Sequence, residues 1–156
     1  MVTEDDVDFV VAAYRDDGDW SLMELPPTLG EDFAGLSEAL RRFPSEVGTL
    51  ALVSVKDDFF AIVRRSGPQV RVLLSDNTAT LDYPLAADIA EALDAPDPED
   101  DDPVEPIGDL EILADLGVAS VELSLLCEDD DLYPDDVLLD IAGRLGFRDQ
   151  LETIVG

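Results

Sequence analysis

From Leu50 to Leu74 the chain runs in short apolar stretches broken by turn residues, LALVSVKDDFFAIVRRSGPQVRVLL. Leu50 and Leu52 alternate with Ala51, Val53 and Val55. Phe60 and Ile62 alternate with Phe59, Ala61 and Val63, and Val70, Val72 and Leu74 with Arg71, Leu73 and Ser75. A period of two with β-branched and aromatic residues marks strands. The turns at Lys56-Asp57-Asp58 and Ser66-Gly67-Pro68 are too short for anything but antiparallel neighbours. Upstream, Val7 to Tyr14 (VDFVVAAY) is apolar on both faces and reads as a central strand. Asp16-Asp17-Gly18-Asp19 turns the chain, Gly18 supplying a positive φ, and Trp20 to Leu25 returns as a second strand ended by Pro26-Pro27.

Elsewhere the period lengthens to that of a helix. Phe33, Leu36, Leu40 and Phe43 predict a helix over about Asp32 to Phe43, capped by Asp32, stopped by Pro44 and carrying Arg41 and Arg42 in its last turn. A second is expected through Leu85, Ile89 and Leu93, with Pro84 in its first turn and Ser75 to Thr78 as capping chemistry. Residues 94–109, DAPDPEDDDPVEPIGD, combine four prolines with a run of acids and predict an extended acidic linker, up to about 50 Å long at roughly 3.1 Å per residue. Short helical pieces follow. Leu110 to Leu116 is stopped by Gly117, Ser120 to Glu128 packs through Val121, Leu125 and Leu126, Pro134 to Leu145 is stopped by Gly146, and Arg148 to Val155 closes the series.

The expected fold is therefore α+β: a single, mainly antiparallel, five-stranded sheet in the chain order β-β-α-β-β-β-α, similar to that of longin and profilin domains, with a small C-terminal helical unit. Its divisions are a sheet domain over residues 1–93, the acidic linker over 94–109, and a helical unit over 110–156 that could pack on the sheet.

Composition changes the functional picture more than the fold. With 38 acidic and 9 basic residues the net charge is −29, while 46% of residues are apolar, enough for a core. The charge is uneven. Residues 1–93 hold 18 acids and 7 bases, net −11, and residues 94–156 hold 20 acids and 2 bases, net −18. Such a chain repels phosphate backbones, so no direct nucleic-acid contact is expected and a basic protein partner is the complementary one. Histidine is absent and Cys127 is the single cysteine, which removes His-based acid–base and nucleophilic chemistry, thiolate zinc clusters and internal disulfides. The start MVTEDDVDFV lacks a signal peptide's basic region and apolar run, and no stretch is long enough to span a bilayer, so a soluble cytoplasmic protein with no membrane contact is expected.

No phosphate-binding or nucleophile-elbow motif occurs, and neither catalytic residues, metal ligands nor a cofactor are expected. The acids at Glu128 to Asp131 with Asp135 and Asp136 read as a solvated helix end, and the alternative is weak cation binding. Cys127 reads as a buried small hydrophobe. An enzyme working by carboxylates alone needs two converging acids that spacing cannot reveal. The candidate contact is basic. Arg64 and Arg65 end one strand and Arg71 opens the next, so one hairpin end gathers a third of the positive charge. Arg64, Arg65 and Arg71, with Arg41 and Arg42, are the candidate binding residues. The competing reading is that they neutralise neighbouring carboxylates.

KDDFFAIVR (Lys56 to Arg64), VRVLLSD (Val70 to Asp76), the acidic linker, LADLGV (Leu113 to Val118), LLC (Leu125 to Cys127) and LGF (Leu145 to Phe147) occur in that order. In this the chain resembles the bacterial family of tRNA adenosine deaminase-associated proteins. The resemblance implies an association reflected in gene neighbourhood; it carries no activity and no catalytic residues. Zinc deaminases need H-x-E with P-C-x-x-C or a close variant, which a chain with no histidine and one cysteine lacks. The expectation is a non-enzymatic accessory protein, associated with a tRNA adenosine deaminase through its acidic surface. The alternative is a sensor of small anionic ligands at the Arg64, Arg65 and Arg71 hairpin end.

Overall fold

The computed structural model describes residues 7–43, 48–56, 58–81, 83–95, 105–129 and 131–155. Among the described residues six antiparallel strands form one sheet: β1 (Val7–Asp16), β2 (Asp19–Leu25), β3 (Thr49–Val55), β4 (Phe59–Ser66), β5 (Gln69–Leu74) and β6 (Ile107–Gly108). Their order across the sheet is β2-β1-β3-β4-β5-β6. β1 is flanked on both sides, with Ala12 opposite Met23 of β2 and Ala51 of β3. α1 (Phe33–Ala39) lies in the connection from β2 to β3, and α2 (Pro84–Ala92) follows β5. α3 (Ser120–Glu128), α4 (Pro134–Leu145) and α5 (Arg148–Val155) end the chain.

The alternation read from the strands sorts their side chains to two opposite faces, each with its own core. Phe9, Val11, Leu50, Leu52, Phe60, Ile62 and Leu73 meet Leu123, Leu126, Leu138, Ile141, Phe147 and Leu151 on one face. Val10, Ala51, Val53, Phe59, Ala61, Val63, Val72 and Leu74 meet Leu36, Leu40, Leu85 and Ile89 on the other. The sheet is thus sandwiched between α1 and α2 on one side and α3, α4 and α5 on the other. Burial on both faces explains why β3 is buried at every position and apolar at all of them but Thr49 and Ser54. Each buried Leu, Val or Ile contributes about 1.5–3 kcal/mol relative to exposure.

Local chemistry sets the element ends. Asp17 and Gly18 take φ of 55° and 83° in the turn joining β1 to β2. The Asp32 side chain accepts from the Gly35 N–H at 2.9 Å and caps α1, which tightens into a 3-10 turn over Leu40–Arg42. Pro134 opens α4, and Gly146 closes it in a left-handed conformation at φ 104°. The Ser75 to Thr78 cluster serves a different element from the one expected. Asp76 Oδ1 accepts from the Thr78 N–H and hydroxyl at 2.8 and 2.6 Å, within and beside the 3-10 turn Asn77–Leu81, whereas α2 begins only at Pro84.

Three expectations are corrected. The sheet has six strands, not five, because Ile107–Gly108, inside the segment expected to be linker, pairs with Leu74 and Leu73 of β5. The same segment is pinned beside the strand: the Asp109 N–H donates to the Val72 carbonyl at 2.9 Å, and Asn77 and Glu105 exchange bonds of 3.0 Å through their N–H groups. Residues 96–104 of the expected linker lie outside the described residues. Leu110 to Leu116 is not a helix but a series of turns ending in a 3-10 turn at Ala114–Leu116, with Gly117 left-handed at φ 110°. On α3 the inward row is Leu123 and Leu126, whereas Val121 and Leu125, expected to pack, face outward.

Candidate functional site

The hairpin joining β4 to β5 places Arg64 directly opposite Arg71. Like charges in that position repel unless something between them is negative. Both side chains rise from the face carrying Phe60, Ile62 and Leu73, and both reach the turns at residues 109–115. Arg64 is 5% exposed. Its Nη1 and Nη2 donate to Asp115 Oδ1 and Oδ2 at 2.6 and 2.8 Å, a two-pronged grip, and Nη1 also donates to the Ile112 carbonyl at 2.7 Å. Arg71 Nε donates to Asp109 Oδ2 at 2.6 Å, and Nη2 to the Glu111 carbonyl at 2.9 Å. Asp109 Oδ1 in turn accepts from the Glu111 N–H at 2.9 Å.

Residues 109–116 are held by turn bonds between residues three apart, among them Ala114 N–H to the Glu111 carbonyl at 3.0 Å, and the Glu111 and Ile112 carbonyls also accept from the two guanidinium groups. The Arg64 hydrogen bond holds the Asp115 carboxyl below the ordinary carboxylate range; partial burial opposes this, while the positive charges of Arg64 and Arg71 reinforce it. The carboxylate itself is exposed, so the charge of the pair is shared between a buried guanidinium and a solvated oxygen pair.

The five candidate arginines do not form one cluster. Arg65 points to the opposite face, where Nε donates to the Gly67 carbonyl and Nη1 to the Ser37 carbonyl, each at 3.1 Å. Arg41 pairs with Glu38 at 2.9 Å on the exposed side of α1, and Arg42 Nε donates to the Ala39 carbonyl at 3.4 Å. A shallow recess of about 640 Å³ beside these two is lined by Pro26, Leu29 and Glu38. A smaller cleft of about 280 Å³ is lined by Phe33, Val70, Arg71, Val72, Leu93 and Asp109. It lies just below the usual size of a small-molecule site.

The partners missed by sequence reasoning are Asp109 and Asp115, each an acid among 38 with no local signal to single it out. Cys127 is partly buried, and burial pushes its thiol up to about 12, helped by the neighbouring Glu128 charge, which makes it a poor nucleophile. Among the described residues no group of metal-ligating side chains converges, and no helix is long and apolar enough to cross a membrane.

The family described as Rv3753c-like tRNA adenosine deaminase-associated protein matches residues 8–148 of the chain. Protein Rv3753c of Mycobacterium tuberculosis (strain ATCC 25618 / H37Rv) is 38% identical over 150 residues, covering 94% of this chain and 87% of the relative. No solved structure matches.

Proposed function

The chain belongs to the Rv3753c-like tRNA adenosine deaminase-associated family, and from that membership we propose that it is a non-enzymatic accessory protein that docks through its acidic surface on a tRNA adenosine deaminase. The family's description is the observation that carries the reading. Charge supports it: at −29 the chain is complementary to a protein built to hold RNA, and long-range attraction would steer their encounter. The chain has no histidine and one cysteine, so it does not supply a deaminase's zinc site itself.

The anion-sensor alternative draws less support from the geometry. An anion at the hairpin end has to displace Asp109 from Arg71 and Asp115 from a 5%-exposed Arg64, and it meets both displaced carboxylates there.

Calorimetry of the purified chain with the tRNA adenosine deaminase of the same organism, at low and at high salt, tests the proposal. Binding at low salt that weakens steeply as salt rises is the expected result. No heat of binding at low salt overturns the deaminase as partner. Saturable binding of nucleotides or acidic metabolites, lost in Arg71→Ala, would favour the sensor instead.

A further inference from the structure

α3 is more apolar than its position on the sheet requires. Leu123 and Leu126 seat it against the core, yet a second row, Val121 and Leu125, stands 64% and 61% exposed. These are the two most exposed large hydrophobic side chains among the described residues. Spaced i and i+4, they lie side by side on one helix face, and exposed Glu128, three residues beyond Leu125, continues the same row. Single exposed apolar residues are ordinary, but an aligned pair on a face opposite the core is not needed by the fold. Nor does helix propensity ask for Val121, since a β-branched residue there is less favourable than the straight-chain polar residues usual on exposed helices.

The surroundings state what can cover this row. From Ser120 to Asp136 there are seven acids and no base, and Glu128, Asp129, Asp131 and Asp136 are exposed. The nearby cation Arg144, from α4, is already engaged with Glu122 and Asp140. A second copy of the chain would bring −29 against −29, and a phosphate-bearing surface is repelled likewise.

Resting on the accessory-protein reading, we propose that the outer face of α3 is the docking surface, and that it receives a basic amphipathic helix of the partner protein. Val121 and Leu125 meet the partner's apolar side chains. Its lysines and arginines meet Glu128 and the acids of the following turn. This is the helix-on-apolar-row mode of recognition with charges at the rim, the acids steering approach and the apolar pair holding the complex.

The test uses the isotopically labelled full chain and two synthetic helical peptides of equal length and lysine content, one with a leucine row and the other with serine in its place. The leucine peptide is expected to bind at least about tenfold more tightly. Its largest amide shifts should fall on Val121, Leu125 and Glu128. Val121→Ser with Leu125→Ser should abolish the difference between the peptides, whereas Met23→Ser, an exposed apolar residue on β2, should not. Both sites are exposed, and unchanged thermal melting verifies that the variants fold. Equal affinity of the two peptides, or shifts centred elsewhere, overturns the proposal. So does a dimer in light scattering that dissociates in the double variant, since the face would then belong to a second copy.

The deaminase separates the two readings. If the wild-type chain binds it and the double variant binds equally well, the α3 face is wrong and the accessory reading stands. If the wild-type chain ignores the deaminase but the leucine peptide still maps to α3, the accessory reading with that partner falls and the face remains.

Discussion

Arg64 grips Asp115 through two hydrogen bonds of 2.6 and 2.8 Å, joining the middle of the sheet to a residue 51 positions further along the chain. The guanidinium is buried and the carboxylate is exposed, so the two ends of the pair have unequal consequences when removed. Asp115→Ala takes both charge-assisted bonds from a group that remains buried. A loss of about 2–4 kcal/mol is expected, since a hydrogen bond to a charged group contributes about 1.5–3 kcal/mol. Asp115→Asn keeps an acceptor without the charge and should fall between wild type and alanine. Urea denaturation of the three proteins checks this ordering, and equal midpoints would remove the pair from the list of what holds the turns to the sheet.

The same pair carries a pH signature. Its folded carboxyl lies below the ordinary value of 3.8, so the stability it contributes is fully present above that value. It is lost as pH falls through the folded value. The stability gap between wild type and Asp115→Asn should therefore stay level from neutral pH down to about 4 and close below it. Taking the difference cancels the many other carboxylates. A gap unchanged at pH 2.5, among conditions where both proteins still fold, would contradict the linkage.

Gly108 tests the sixth strand. Its φ is 109°, and a Cβ there would run into the Val72 carbonyl, so β6 can lie against β5 only with glycine at this position. Gly108→Ala is expected to cost about 1–3 kcal/mol. Amide exchange at the N–H of Asp109, which donates to the same carbonyl, should speed up in the variant. Unchanged stability and unchanged exchange would place Ile107–Gly108 outside the sheet.

Cys127 should be slow towards thiol reagents in the folded chain. With its thiol raised to about 12, the thiolate fraction at pH 8 is on the order of a thousandfold below that of an ordinary cysteine. Iodoacetamide labelling followed by mass spectrometry should be slow in buffer and rapid in denaturant. Rapid labelling of the native chain would mean that the side chain is not held as α3 holds it.

How far these features could be read in advance depends on the range of the interactions behind them. Gly18, Asp32, Pro134 and Gly146 act through bonds within a turn or two, and their roles are legible from neighbouring residues alone. The alternation in β3, β4 and β5 likewise announces two buried faces, because side-chain direction along a strand has a period of two. The arginine pair was half legible. Short-turn geometry brings Arg64 opposite Arg71, but the partners that occupy them come from residues 109–115, and nothing local marks Asp109 or Asp115 among so many acids.

By itself, then, the sequence determined the α+β class, the strand alternation, most helix ends, the acidic balance, and the absence of histidine-based chemistry, since each follows from composition or from contacts near in the chain. The tertiary structure alone decided that Ile107–Gly108 extends the sheet, that Leu110 to Leu116 folds as turns whose Glu111 and Ile112 carbonyls meet two guanidinium groups, and which row of α3 is buried. Five of the nine residues of α3 are apolar, so its sequence offers the core more than one face. Only the position of the sheet beneath it selects Leu123 and Leu126 and leaves Val121 and Leu125 outside.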